Sequence, residues 1–299
     1  MLMVGVNDMC KPFVKWAGGK SQLLEEIRQK YPANIEKYCE PFVGGGAVLF
    51  DILEKFSPEE VLINDINEEL INTYVQIKNQ SNEVIRILDK YQKQYNDLSE
   101  DERQKIYYKK RKRFNELIIK CEKKDLVEKA ALFVFLNKTC FNGLYRVNSE
   151  GFYNVPKGNY KNPLICDKDN ILRISKMLKK VDVKCGDFEK CESFIDSETF
   201  VYIDPPYRPL TKSSMFTSYS KEQFDDKEQV RLGNFIDRLN DKNAKIVLSN
   251  SDPKNVDKND NFFDELYKKY SIDRIMAKRM INANGAKRGM VTELLVANY

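Results

Sequence analysis

An Asp-Pro-Pro-Tyr run closes the apolar segment Phe200-Val201-Tyr202-Ile203. Two consecutive prolines fix φ and remove two backbone donors, which leaves carbonyls there as acceptors. Asp204 therefore stands beside the Pro205 carbonyl, followed by Pro206 and the ring of Tyr207. Two acceptors and a π surface suit a planar amino group on a base. Asp204 and the Pro205 carbonyl can each accept one N–H, and Tyr207 can stack on the base for about 1–3 kcal/mol. An exocyclic amine is a poor nucleophile, because its lone pair is delocalised into the ring. Acceptors on both protons push the nitrogen toward tetrahedral geometry, so that it can attack a methyl sulfonium in line. This chemistry is positioning plus electrostatics and needs neither metal nor histidine. An ordinary strand-ending proline turn is the alternative.

The chain has 299 residues and no histidine. That excludes Ser-His-Asp triads, Cys-His dyads, histidine bases and histidine metal sites. The seven cysteines fall at irregular spacings without a C-x-x-C pair, so no metal site is expected. They read as reduced thiols of a cytoplasmic protein. Neither a signal-peptide h-region in Met1 to Trp16 nor a bilayer-length apolar run is evident, so no membrane association is expected.

A second cluster lies at Glu40-Pro41-Phe42-Val43-Gly44-Gly45-Gly46, which follows a strand signal at Tyr38–Phe42 and opens a helical pattern at Ala47–Phe56. Glycines there permit positive φ and close backbone approach to a ligand. Asp65 ends the next strand, Val61–Asn64, about 20 residues further on, where a carboxylate meets ribose hydroxyls in nucleotide-binding sheets. A tight turn with Asp65 as a helix cap is the structural alternative. Leu49 stands at the sixth position of the glycine run, against a dinucleotide fingerprint. A nucleoside without a pyrophosphate, such as S-adenosylmethionine, stays compatible.

The elements that must hold these residues follow an α/β order. Short helices are expected at Ser21–Lys30 and Asn67–Lys78, further helices at Lys168–Lys179 and Asp225–Leu239, and strands at Val181–Lys184, Phe200–Ile203, Lys245–Asn250 and Glu293–Asn298. Arg274–Ile281 could pair antiparallel with the last strand. From Val84 to Lys138 strand signals vanish. Phe114, Leu117, Ile118 and Cys121 form a helical stripe, and Asp125–Leu136 is another helix. Thr139 to Tyr160 is turn-rich, with Asn142-Gly143 and Glu150-Gly151, as in a hairpin or ordered loop. The net charge of +5 is mild, but Arg103 to Lys124 holds ten Lys or Arg against Glu116 and Glu122. Its centre, Tyr107 to Asn115, interleaves aromatics with Lys109, Lys110, Arg111, Lys112 and Arg113. That mixture suits a phosphate backbone, although a charge run alone is more often a solvated helix face.

Together these segments resemble the Dam-type DNA adenine methyltransferases, which are site-specific and use S-adenosylmethionine. Pro12 to Lys20 resembles the family's N-terminal cofactor segment, Glu40–Gly46 its glycine segment and Asp204–Tyr207 its catalytic turn. Asn142 to Arg146 with Tyr153 to Pro156 resembles its DNA-reading hairpin, and Asn282 to Leu295 its C-terminal end. The resemblance implies a Rossmann-like methyltransferase sheet of α/β class with an inserted, mostly helical DNA-recognition domain. The catalytic domain would comprise residues 1–76 and 164–299, and the target-recognition domain residues 77–163.

By the same resemblance, Asp204, Pro205, Pro206 and Tyr207 are catalytic. The cofactor is held by Trp16, Lys20, Phe42, Gly44, Gly46, Asp65, Asp187, Phe188 and Asp204. Trp16 would face the sulfonium, Lys20 would pair the methionine carboxylate, and Asp187 and Phe188 would bracket the cofactor adenine. Arg146 would read a guanine through its O6 and N7, worth roughly 1–3 kcal/mol of discrimination. Phe141, Asn142, Leu144, Asn154 and Pro156 would support contacts to the bases, and Lys109, Arg111 and Arg113 would meet phosphates. The implied reaction is base flipping of adenine from duplex DNA, within 5′-GATC-3′, and direct methyl transfer to its exocyclic nitrogen. A separately acting cognate restriction endonuclease is an implied partner. Methylation of cytosine N4 or another planar amine, and a catalytically silent DNA-binding protein, stand as alternatives. Lys157-Gly158-Asn159 and Gly151-Phe152-Tyr153 depart from the family's usual residues beside the hairpin.

Overall fold

The computed structural model describes residues 10–208, 224–278 and 290–299. Strands β1 (Lys37–Glu40), β2 (Glu60–Asp65), β3 (Val181–Cys185), β4 (Thr199–Ile203), β5 (Lys245–Ser251), β6 (Ser271–Lys278) and β7 (Met290–Ala297) form one sheet in the order β3-β2-β1-β4-β5-β7-β6. β1 pairs in parallel with β2 and β4, and β4 in parallel with β5. β7 is antiparallel to both β5 and β6. All five residues of β4 are buried, as expected of a central parallel strand covered on both faces. The order places β1 and β4 side by side at the reversal of the winding, where open α/β sheets hold their ligands. This is the Rossmann-like methyltransferase sheet expected from the sequence.

The helices are α1 (Leu24–Arg28), α2 (Ala47–Lys55), α3 (Glu68–Asn96), α4 (Glu100–Ile119), α5 (Leu126–Thr139), α6 (Lys168–Met177), α7 (Asp226–Asp241) and α8 (Phe262–Leu266). The chain forms two compact units. One comprises the chain up to Gly19 with Gly44–Ser57 and Asn67–Val183, and so holds α2 to α6. The other comprises Lys20–Val43, Pro58–Ile66 and the chain from Lys184 onward. The core of the second gathers Cys39, Leu62, Val201, Ile203, Phe235, Leu248, Phe263 and Leu294.

Several sequence expectations need correction. The helix expected over Ser21–Lys30 is a 3-10 turn, Lys20–Gln22, followed by the five-residue α1. The helix expected to end at Lys78 continues to Asn96, with non-helical φ/ψ at Gln80. Apolar residues on both sides of that kink, such as Ile77 and Val84, are buried, so packing carries the helix through it. Asp65 is not the cap of α3. Asn67 is, accepting from the Leu70 N–H at 2.9 Å. The Thr139–Tyr160 stretch, for which a hairpin or ordered loop is expected, folds back on itself through Phe141 N–H to Pro156 O, Asn154 N–H to Arg146 O and Asn148 N–H to Phe152 O, with isolated bridges Cys140↔Lys157 and Val147↔Tyr153. Asn282, Asn284 and Gly285 lie outside the described residues, as do 279–281 of the expected Arg274–Ile281 strand.

Candidate active site

β4 ends at Ile203 and delivers Asp204 at its carboxyl end. The Lys20 ammonium lies 2.7 Å from both Asp204 oxygens. The Ser249 hydroxyl, on neighbouring β5, donates to Asp204 Oδ1 at 2.9 Å, and Ser249 in turn is 3.0 Å from the Tyr202 hydroxyl. Lys20 is 4% exposed and Asp204 20%, so this ion pair works in a largely dry setting. Burial pushes the Asp204 carboxyl above its usual range, while Lys20 and Ser249 pull it back.

The two prolines continue the turn. The Pro206 carbonyl accepts from Gln229 Nε2 at 3.1 Å, and Gln229 Oε1 accepts from Asn250 at 3.1 Å. Gln229 and Asn250 are both buried, so the turn is anchored to α7 and β5. The Tyr207 hydroxyl donates to Glu293 on β7 at 2.5 Å, and the Lys20 ammonium stands 4.7 Å from the Tyr207 ring centroid. Burial, then the charges of Asp204 and Glu293, push the Tyr207 phenol far up, so it stays a neutral donor. Burial also raises the Glu293 carboxyl.

The loops after β1, β2 and β3 are laced together. The Asn64 side chain donates to the Pro41 carbonyl at 3.0 Å and the Gly186 carbonyl at 2.8 Å. The Val43 N–H bonds Asn64 O, and the Gly186 N–H bonds Asp65 O at 3.0 Å. This brings Phe42 and Phe188 together, with ring centroids 5.3 Å apart, and sets Asp187 beside them. Arg231 grips Asp187 at 2.6 and 3.0 Å, and its charge and hydrogen bonds hold that carboxyl below its usual range.

In the other unit, Gly44 and Gly46 have φ of 48° and 76°, and Gly46 caps α2. A Cβ on Gly44 would meet the Trp16 indole at 2.8 Å, and one on Gly46 the Tyr74 hydroxyl at 2.5 Å. Trp16 and Tyr74 thus close the turn to any side chain at these two positions. Trp16 also stacks near Tyr145, with ring centroids 5.9 Å apart.

Within that unit the loop 139–160 exposes Phe141, Asn142, Arg146 and Pro156, while Leu144 and Asn154 are half-buried. Asn142 adopts φ 55°. Arg146 Nε donates to Asn154 Oδ1 at 2.7 Å. The buried Asn137 side chain ties Lys15 to Gly143, accepting from Lys15 N at 2.7 Å and donating to Gly143 O at 2.9 Å. The basic stripe on α4 divides its work. Arg111 donates to the Val155 carbonyl at 3.2 Å, and Tyr107 donates to the same carbonyl at 2.8 Å, so both brace the loop. Arg113 pairs with Glu128 at 2.8 Å. Lys109 and Lys112 are exposed.

Sequence reasoning missed Ser249, Gln229 and Arg231. Only Ser249 left a signal, as a polar residue ending an apolar strand run.

The Rossmann-like methyltransferase sheet thus carries a largely buried carboxylate and a proline turn at the end of β4. A family model described as D12 class N6 adenine-specific DNA methyltransferase matches residues 16–281. The chain is 49% identical over 295 residues to the type II methyltransferase M.MjaIII of Methanocaldococcus jannaschii, covering 97% of this chain and 99% of that protein. It is 40% identical over 291 residues to the type II methyltransferase M1.LlaDCHI of Lactococcus lactis (97% and 95% covered). It is 30% identical over 285 residues to the DNA adenine methylase of Escherichia coli (95% and 94% covered). The chain belongs to the D12 class of N6 adenine-specific DNA methyltransferases, acts on DNA and uses S-adenosylmethionine as methyl donor. Among the described residues no helix is long and apolar enough to cross a membrane.

Proposed function

We propose that the protein flips adenine out of duplex DNA, within GATC, and presents its amine to the methyl donor at the Asp204 turn. The observation that carries this reading is the fixed carboxylate of Asp204, bonded by Lys20 and Ser249 and followed by a turn anchored through Gln229. Lys20 and Ser249 orient the carboxylate and oppose the rise that burial imposes on it, and the acceptor direction left on Oδ2 takes one amine N–H. The Pro205 carbonyl accepts the other. Tyr207, clamped by Glu293, is the stacking surface that offsets the few kcal/mol of unstacking. Drawing both protons outward pyramidalises the nitrogen, and its lone pair then points away from the acceptors. The proton leaves to solvent, or transiently through Asp204, after the new N–C bond forms.

The donor fits the residues present. Asp187, Phe188 and Phe42 supply an acceptor and ring surfaces for a purine. S-adenosylmethionine supplies an electrophilic methyl group when bound. Trp16, Lys20, Phe42, Gly44, Gly46, Asp65, Asp187 and Phe188 are the proposed contacts. Residues 77–163 are proposed as the target-recognition region, with Arg146 reading guanine and Phe141, Asn142, Leu144, Asn154 and Pro156 around it. Similarity to two proteins named type II methyltransferases supports a role beside a separately acting restriction endonuclease.

The test is to incubate the purified protein with S-adenosylmethionine and plasmid DNA and map modified bases by sequencing. N6-methyladenine confined to GATC supports the reading. Methylation in another sequence, or on cytosine, overturns it.

A further inference from the structure

We propose that Arg231 is a positioning residue that fixes Asp187 and Phe188 for the purine of the methyl donor and makes the site select a purine carrying an amino group at C6. This rests on the reading of Asp187 and Phe188 as the purine contacts.

Arg231 lies on α7, far in sequence from β3, yet its guanidinium meets both residues at once. Nη1 donates to Asp187 Oδ1 at 3.0 Å and Nη2 to Oδ2 at 2.6 Å, a bidentate fork. The same group stands 4.2 Å from the Phe188 ring centroid, a cation–π distance. Arg231 is held in turn by Glu228 at 2.6 Å and Glu189 at 3.1 Å. The arginine therefore cannot swing away without leaving four partners, Asp187, Phe188, Glu228 and Glu189. A simple surface pair would fix little. Here the fork sets the plane of a carboxylate and the position of a ring together.

The geometry also decides what Asp187 can recognise. Its Oδ1 takes Arg231 and the Glu189 N–H at 3.0 Å, which uses both lone pairs of that oxygen. Among the described residues Oδ2 takes only the second arm of the fork, which leaves one acceptor direction on Oδ2. An ionised carboxylate is acceptor-only, and it matches an N–H of a 6-amino group. A 6-oxo purine would set an acceptor oxygen against it where the 6-amino group offers a donor, its own donor lying instead at N1. Loss of the guanidinium would free the carboxylate to rotate and to protonate more readily, blurring both orientation and selection.

The test measures equilibrium binding of S-adenosylhomocysteine and of its 6-oxo counterpart, S-inosylhomocysteine, to the full-length wild type, Arg231→Gln, Arg231→Lys and Asp187→Asn, with melting temperature as a folding control. The wild type is expected to favour the amino ligand at least tenfold. Arg231→Gln is expected to bind it about tenfold more weakly and to lose most of the preference, with its melting temperature little changed, while Arg231→Lys keeps part of both. A merely structural role would lower the melting temperature and leave the ratio of the two affinities unmoved, which would overturn the proposal. If Asp187→Asn weakens binding and Arg231→Gln does not, the role of Arg231 fails alone. If neither changes binding, the purine reading of Asp187 fails with it.

Discussion

The ammonium of Lys20 and the carboxylate of Asp204 meet at 2.7 Å, with only 4% and 20% of their side chains exposed. Burial raises the Asp204 carboxyl, and Lys20 opposes that rise. On the proposed reading Asp204 accepts the amine only as a carboxylate, so activity falls as pH drops through its raised pKa. Lys20→Met removes the opposing charge and raises the pKa further. The acid limb of the single-turnover rate should therefore move to higher pH in the variant, while the alkaline side keeps its shape. Breaking a buried pair also costs on the order of 3 kcal/mol, visible in denaturant unfolding. An unmoved acid limb would contradict the coupling.

Tyr207 and Glu293 form a second clamp at 2.5 Å. Tyr207→Ala should lose about 1–3 kcal/mol of base stacking, read as weaker fluorescence of 2-aminopurine at the target position. Tyr207→Phe and Glu293→Leu each break the same hydrogen bond. The double variant should then lose little beyond either single variant in a double-mutant cycle of kcat/KM.

Gly46 has φ 76°, and a Cβ there would sit 2.5 Å from the Tyr74 hydroxyl. Gly46→Ala should destabilise the fold by about 1–3 kcal/mol, since a left-handed residue and a clash act together. Chemical denaturation measures the loss.

Basic residues of the α4 stripe should differ in effect. Lys109 is exposed, and Lys109→Ala should lower the slope of log affinity against log salt by about 1, uniformly across DNA sequences. Arg111 braces the loop through Val155 O, so Arg111→Ala should disturb target preference as well as affinity. Arg146→Ala should cost about 1–3 kcal/mol on GATC duplexes and relax preference for the guanine. Filter binding across salt concentrations and target variants separates these outcomes.

What the sequence made legible was consecutive. Asp204 to Tyr207 and Glu40 to Gly46 could be read because backbone chemistry and side chains sit next to one another in the chain. The parallel sheet was legible for a similar reason, since short apolar runs alternate with amphipathic segments. The partners of the turn were not. Ser249 reaches Asp204 only because β5 lies beside β4, and Gln229 reaches Pro206 only once α7 is packed. The extension of α3 past Gln80 depends on tertiary packing that local propensity does not encode. The pairing of Lys20 with Asp204 was not legible either, because the two lie far apart in the chain and meet only in the folded sheet.

The most direct test of the Asp204 account is single-turnover transfer of labelled methyl to a GATC duplex, comparing the wild type with Asp204→Asn and identifying the labelled base by mass spectrometry. The account predicts label only at adenine N6 for the wild type. It predicts a rate at least about a hundredfold lower for the variant, the scale of losing one preorganised polar group, with DNA affinity changed by less than about threefold. Transfer by Asp204→Asn at the wild-type rate, or label on cytosine, would contradict it.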